Sequence, residues 1–271
     1  MTAQHYLLFT LGLYAVGALD MLAQAIARRR LLTSWTVTAT LLGFALHTAS
    51  VSQRWRDAGH FPAVGLHDGA SFLAWAIVLM YLLTYVVTKV DALGLLVHPV
   101  AFGLVLVAAL APVSEREDPI LKSLFLPIHT TLAFFGYAAL FVAFGMGLLY
   151  LVQERGLKSR IPNRFYYLAP SLERCDTISG RSVAVGFGFL SLAIVTGLLW
   201  SQSAKGTYWS GSAKEWSAVA AWVIYVVLLL ARRRSGWGGR QAALLGVAGF
   251  VVVLFTFVWI NVLHPPGVVA P

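Results

Sequence analysis

The sequence contains little charge. Asp, Glu, Lys and Arg make up 11% of its 271 residues, whereas soluble globular domains carry about 25%. Hydrophobic residues make up 59% of the chain, and the mean hydropathy is +0.76. So few charges cannot cover the surface of a soluble domain, and long apolar runs indicate membrane spans. The composition therefore predicts an all-α, polytopic integral membrane protein.

Cysteine and the common catalytic motifs are scarce as well. The single Cys175 excludes an intramolecular disulfide, a CxxC redox motif and a cysteine metal cluster. The sequence contains no phosphate-binding loop, no HExxH zinc motif and no GxSxG nucleophile motif. Residues 1–5 carry no Lys or Arg, so a cleaved secretory signal is not expected. The enzyme classes that depend on these motifs are not indicated, and no residue is assigned a catalytic role.

Eight apolar segments divide the chain. Each is long enough to cross a hydrocarbon core of about 30 Å, which requires about 20 helical residues. Eight spans and short loops leave no room for a separate soluble domain, so residues 1–271 are predicted to form one integral membrane domain. The spans are predicted at 4–27, 32–54, 70–90, 92–112, 125–153, 182–202, 215–231 and 241–263.

The distribution of Lys and Arg predicts the orientation. Fourteen of the twenty basic residues fall in one set of loops, which includes 28–30, 154–181 and 232–240. Because cytoplasmic loops carry the excess of Lys and Arg, this set is assigned to the cytoplasm and both termini to the outside. The net charge of +9 then indicates topology and contact with anionic membrane lipid, and nucleic acid is not an expected partner.

Histidines concentrate on the predicted outer side, where six of the seven lie. His129 opens the fifth span, and His264 closes the last span before Pro265. Two imidazoles at helix ends on one membrane level can bind a metal or haem iron from opposite sides. Ordinary polar contacts at the membrane surface are the alternative interpretation. His47, in the outer half of the second span, is a further ligand candidate or a histidine bonded to a neighbouring helix.

The outer loop at about 200–216 is rich in aromatic residues. A flat apolar macrocycle would pack on such a surface, and Lys205 or Lys214 could pair with its carboxylates. The alternative is the aromatic belt common to membrane proteins. The aromatic residues are Trp200, Tyr208, Trp209 and Trp216.

Asp20, near the cytoplasmic end of the first span, is either functional or an interfacial structural residue.

Ten short segments in order through the chain carry a family pattern. They are Gly59–Pro62, Ser71–Trp75, Ile128–His129, Gly147–Glu154, Pro170–Glu173, Gly197–Trp200, Gly206–Ser210, Lys214–Glu215, Gly236–Ala242 and Phe250–His264. Together they resemble the cytochrome c assembly, or haem-handling, superfamily, which includes the CcsA (ResC) component of the system II cytochrome c synthase and shorter HemX/YpjD-like relatives.

The resemblance implies specific roles for the residues singled out above. His129 and His264 correspond to the two external histidines that flank haem b as axial iron ligands, and the loop 200–216 corresponds to the tryptophan-rich haem-binding segment. His47 sits where the family often has a histidine. The implied partners are haem, apocytochrome c and a CcsB/ResB-like protein, and the implied location is the inner or plasma membrane.

The sequence departs from the family in two places. The family segment reads Trp-Ser-Trp-Asp-Pro-Lys-Glu, whereas residues 209–215 read Trp-Ser-Gly-Ser-Ala-Lys-Glu. Leu230 or a neighbour occupies the place where synthase members carry a late histidine in the following span. These departures predict a divergent member that binds haem without performing full transport and ligation.

Three functions are therefore weighed. The first is a haem-binding membrane protein of cytochrome c biogenesis, which holds or delivers haem at the outer face and is not an enzyme on its own. The alternative is a HemX-like regulator of tetrapyrrole biosynthesis, whose basic 154–181 segment contacts a cytoplasmic enzyme. A small-solute permease ranks last because inverted repeats and broken helices with paired charges are not evident.

Overall fold

The computed structural model describes residues 2–27, 33–62, 65–113, 123–159, 167–233 and 239–258. Within these ranges the chain forms eight helices and no strand, which confirms the predicted all-α class. The helices are α1 (Ala3–Ala27), α2 (Ser34–Ala58), α3 (Gly65–Thr88), α4 (Gly94–Leu110), α5 (Phe125–Lys158), α6 (Leu172–Lys205), α7 (Ala213–Arg232) and α8 (Arg240–Val258).

Five helices are long and apolar enough to cross a membrane, namely α1, α3, α5, α6 and α7. Gly94–Leu110 in α4 and Arg240–Phe255 in α8 are apolar but shorter. The 25-residue α2 falls outside both groups because Thr, Ser and His side chains interrupt its apolar sequence. Several of these polar side chains are buried inside the bundle, where neighbouring helices shield them from lipid. The helix set is that of a multi-pass membrane protein.

The helices pack as two halves of four. In the first half α1 packs against α2 and α4, and α3 packs against α2 and α4. In the second half α5 packs against α6 and α8, and α7 packs against α6 and α8. The main contact between the halves joins α3 to α5, where the rings of Phe72 and Phe134 lie 5.4 Å apart. One hydrophobic core therefore runs through both halves.

Glycines bring α5 and α6 into close contact. A Cβ at Gly136 would lie 3.3 Å from the main-chain nitrogen of Leu190 and 3.4 Å from the carbonyl oxygen of Gly186. Small residues at such crossings let helix backbones approach, as in other membrane bundles. The close approach brings the outer half of α5 directly against the backbone of α6.

Of the predicted cytoplasmic loop 154–181, the structure describes residues 154–159 and 167–181, and helices enter it from both sides. α5 continues to Lys158 and α6 begins at Leu172, where the Ser171 side chain accepts a hydrogen bond from the Arg174 main-chain nitrogen. Each helix has 34 residues, or about 51 Å at 1.5 Å per residue, which exceeds a membrane core of about 30 Å. Hydropathy indicates only the apolar part of such helices, so the predicted span bounds at 153 and 182 do not include their polar extensions.

Asp20 has a structural position at the predicted cytoplasmic end. Its carboxylate accepts hydrogen bonds from the hydroxyl groups of Thr33 and Thr36, at the beginning of α2, and from Gln24 at 3.1 Å. These bonds tie α1 to the first turn of α2. The structure thus favours the interfacial structural role for this residue.

A second carboxylate stabilises the predicted outer end of the first half. Asp68 in α3 receives the Arg54 guanidinium of α2 at 3.1 Å, and its side chain is 1% exposed. Next to it, Nδ1 of His67 donates to the carbonyl oxygen of Ala108 in α4 at 2.7 Å. These contacts fasten α2, α3 and α4 to one another, and the sequence analysis did not predict them.

Candidate functional site

His129 lies near the predicted outer end of α5 and faces α6. Its Nδ1 donates a hydrogen bond to the carbonyl oxygen of Ala193 at 2.8 Å, because a carbonyl can only accept. In that tautomer Nε2 carries the lone pair that a metal ion requires. Metal-binding histidines usually donate their other ring nitrogen to a carboxylate or a main-chain carbonyl in this way. The local chemistry therefore suits an iron ligand.

The face of α6 that meets His129 is shaped to receive an imidazole. Ala193, Gly197 and Trp200 follow one another at helical spacing on this face. A Cβ at Gly197 would come within 2.8 Å of Cε1 and 2.9 Å of Nδ1 of His129. The Trp200 ring is parallel to the imidazole, with an interplanar angle of 2° and centroids 6.4 Å apart. The glycine makes room for the ring, and the indole continues the flat surface beside it.

The predicted outer loop 200–216 is shorter in the structure, because helices enter it from both sides. α6 ends at Lys205 and is followed by Gly206 in the left-handed conformation (φ 73°), and α7 begins after Ser212. Residues 206–212, here called the outer link, connect the two helices. Trp200 therefore lies on α6 and Trp216 in the first turns of α7.

Glu215 orders the outer link. Its carboxylate accepts hydrogen bonds from the Ser210 hydroxyl at 2.8 Å and from the main-chain nitrogens of Ser210 and Ser212 at 3.0 and 3.1 Å. The Ser212 side chain in turn accepts from the Glu215 nitrogen, which completes a capping box. The sequence contains this Ser-x-x-Glu signature, although it was not used to predict the link.

The outer link presents large aromatic side chains to its surroundings. Tyr208 is 57% exposed, Trp209 40% and Trp216 61%. The rings of Trp209 and Trp216 meet edge to face, with centroids 5.4 Å apart. Gly211 (φ 70°) adopts a left-handed conformation that favours glycine. The outer link therefore turns at this glycine.

Several predicted site residues lie outside the described residues or away from His129. His264 and the side chains of Lys205 and Lys214 are outside the described set. His47 is fully buried in the first half, with Nδ1 3.4 Å from the Tyr14 hydroxyl and Nε2 3.1 Å from the Ser71 hydroxyl. These contacts fit a histidine bonded to neighbouring helices, one of the two roles considered from the sequence, and His47 as a haem ligand stays a prediction.

A chain of aromatic rings, which sequence reasoning missed, links the two halves. Trp75 of α3 stacks on Phe44 of α2 at 5.6 Å and on Phe135 of α5 at 6.2 Å. Phe135 meets Phe189 of α6 edge to face at 5.7 Å. Each residue looks like ordinary membrane composition in the sequence, so only the packing reveals the chain of contacts. It holds the α5–α6 pair, and with it His129, against the first half.

The chain is similar to one known protein family and to several named proteins. The family model described as "Cytochrome C assembly protein" matches residues 64–265, which include His129, the outer link and His264. Proteins named "Cytochrome c biogenesis protein CcsA" are 30% identical in Microcystis aeruginosa (79% of this chain, 80% of the relative), 31% in Parasynechococcus marenigrum (80% of each) and 30% in Chlamydomonas reinhardtii (94% of this chain, 71% of the relative).

Proposed function

This chain belongs to the cytochrome c assembly protein family, and from that premise we propose that it binds haem b for cytochrome c biogenesis and holds or delivers it at the outer membrane face. The observation that carries the proposal is the bond from His129 to the Ala193 carbonyl, which turns the lone pair of the imidazole toward Nε2. The relatives' names favour this function over the regulatory and permease alternatives.

The axial ligands in this proposal are His129 and His264. His129 is held by α6, and α8, which packs against α5, ends at Val258, before His264 in the sequence. Because α8 packs along α5 and ends toward the same side of the bundle as His129, we propose that His129 and His264 lie at the same membrane level. Two neutral imidazoles are an established ligand type for haem iron.

The aromatic side chains are proposed to support the macrocycle. Trp200 lies parallel to the His129 ring, and Tyr208, Trp209 and Trp216 are exposed around the outer link. Flat apolar rings stack favourably on such side chains. The two lysines at the ends of the outer link, Lys205 and Lys214, are proposed to attract the carboxylates of the ligand.

The chain is proposed to act as a scaffold rather than as an enzyme on its own. A bound haem would supply the vinyl groups to which the thiols of an apocytochrome CxxCH segment add. The proposed partners are an apocytochrome c and a CcsB/ResB-like protein, in the inner or plasma membrane. His129 and His264 would hold the iron, and the outward-facing aromatic surface would leave the haem accessible to these partner proteins.

Absorption spectroscopy of the detergent-purified full chain tests the ligand assignment. We expect a six-coordinate Soret band that is lost or shifted in His129→Ala and in His264→Ala, and that exogenous imidazole restores. His60→Ala, which removes another histidine predicted on the outer side, is the matched control. An unchanged spectrum in both ligand variants would refute the axial roles. His47→Ala should keep the band, because both ring nitrogens of His47 already bond to hydroxyl groups.

A further inference from the structure

A cavity of about 330 Å³ opens between α5 and α8 at the end of the bundle opposite the outer link. Two leucines and four charged residues line it, and we call it the basic pocket. They are Leu151, Leu244, Glu154, Arg155, Lys158 and Arg240, and Ser159 completes the lining. This volume exceeds the ~10–15 Å³ that one water needs in the same measure, so the basic pocket admits more than a single small ion.

The basic pocket is amphipathic along the membrane normal. On α5, Leu151 lies one helical turn to the membrane side of Arg155, and on α8, Leu244 lies one turn to the membrane side of Arg240. α5 is about 51 Å long, longer than the ~45 Å of a bilayer with its headgroups, so its last residues lie at the membrane surface. Apolar side chains therefore sit at acyl-chain level and basic ones at headgroup level.

The charge balance of the basic pocket is positive. Glu154 is the one carboxylate in its lining, and it pairs with Lys158 at 2.6 Å and with Arg240 at 3.7 Å. Arg155 forms no ion pair with any residue that the structure describes. Three cations against one carboxylate leave two unbalanced positive charges. Because Lys158 and Arg240 are 68% and 63% exposed, they are accessible to an anion at the surface.

We propose that the basic pocket binds an anionic phospholipid of the inner leaflet, with its phosphate between Arg155 and Arg240 and an acyl chain against Leu151 and Leu244. The excess of Lys and Arg at this end assigns it to the cytoplasmic side, where anionic lipids concentrate. Leu244 is 48% exposed at the level of the acyl chains. The site does not depend on haem, and a lipid bound there would hold α5, the helix that carries His129, against α8.

Native mass spectrometry of the full chain with phosphatidylglycerol and phosphatidylcholine tests this proposal. The variant Arg155→Gln with Arg240→Gln should retain phosphatidylglycerol at least about tenfold more weakly than the native chain, since each basic residue near an anionic surface contributes about 1 kcal/mol. The control, Arg181→Gln with Arg233→Gln, removes two exposed charges from the same membrane side. It should change retention by no more than about twofold. Circular dichroism checks that both double variants fold.

Two results would overturn the proposal. Equal losses of phosphatidylglycerol retention in the two double variants would show general charge attraction rather than a site. Equal retention of phosphatidylcholine and phosphatidylglycerol by the native chain would show that binding is not selective for an anionic headgroup. Glycerol phosphate, which has the phosphate but no acyl chain, should fail to displace the lipid even at 100-fold molar excess. Displacement by an equimolar amount would assign the basic pocket to a soluble anion instead.

Discussion

His129 on α5 donates its Nδ1 proton to the carbonyl oxygen of Ala193 on α6, at 2.8 Å. The same ring lies against Gly197, one turn further along α6. The backbone of the neighbouring helix therefore sets the tautomer and the orientation of the imidazole. The outer site depends on how closely α5 and α6 pack, as well as on the identity of its aromatic residues.

Gly197→Ala should weaken haem binding by about 10- to 100-fold, the usual effect of disturbing the residue that orients a metal-binding histidine. The new methyl group would come within 2.8 Å of the imidazole, so the ring must rotate and release Ala193. Haem titration followed at the Soret band measures the effect. Gly188→Ala on the same helix is the control, because a Cβ there meets nothing within 4 Å. Equal affinities in the two variants would show that the fit at Gly197 is unimportant.

Only those features of the site that depend on side-chain identity or on apolar length could be predicted from the sequence. Hydropathy predicted the eight helices and placed His129 at a helix end, because apolar length is a direct requirement of the bilayer, although only five of the helices are both long and apolar enough to cross it. The partner of His129 is a main-chain carbonyl, which every residue possesses, so no sequence pattern indicates it. The predicted span bounds do not include the polar extensions of α5 and α6, because outside the membrane helicity depends on capping, as at Ser171, and on helix contacts.

Glu215→Gln should loosen the outer link while the helices remain intact. The carboxylate accepts three hydrogen bonds from Ser210 and Ser212, and bonds to a charged acceptor are about twice as strong as neutral ones. We expect the amide hydrogens of Ser210 and Ser212 to exchange at least about tenfold faster, as measured by hydrogen–deuterium exchange mass spectrometry. Glu173→Gln, an exposed first-turn glutamate of α6, should leave this exchange unchanged. Protection equal to that of the native chain would contradict the role of Glu215.

Trp75→Ala should destabilise the whole bundle by at least about 2 kcal/mol, as expected when a large packed side chain is removed. Trp75 stacks on Phe44 and Phe135 and donates a hydrogen bond to the Thr48 hydroxyl at 2.9 Å, so the change opens the contact between the halves. Unfolding in mixed micelles with increasing sodium dodecyl sulfate measures the loss. The matched control is Trp35→Ala, because Trp35 is 74% exposed and should contribute within about 0.5 kcal/mol. Similar losses in both variants would rule out a linking role for Trp75.

Arg54→Gln should cost at least about 2 kcal/mol, because it leaves the Asp68 carboxylate buried without its cation. The Asp68 side chain is 1% exposed and that of Arg54 16%, so solvent cannot replace the lost partner. Lys158→Gln is the control, since it breaks an ion pair whose lysine is 68% exposed and should cost less than about 1 kcal/mol. The double variant Arg54→Gln with Asp68→Asn removes the stranded charge and should recover part of the stability, as a double-mutant cycle measures. If the losses of stability from Arg54→Gln and Asp68→Asn simply add in the double variant, the two residues are not coupled. Apolar packing would then hold α2 and α3 together instead.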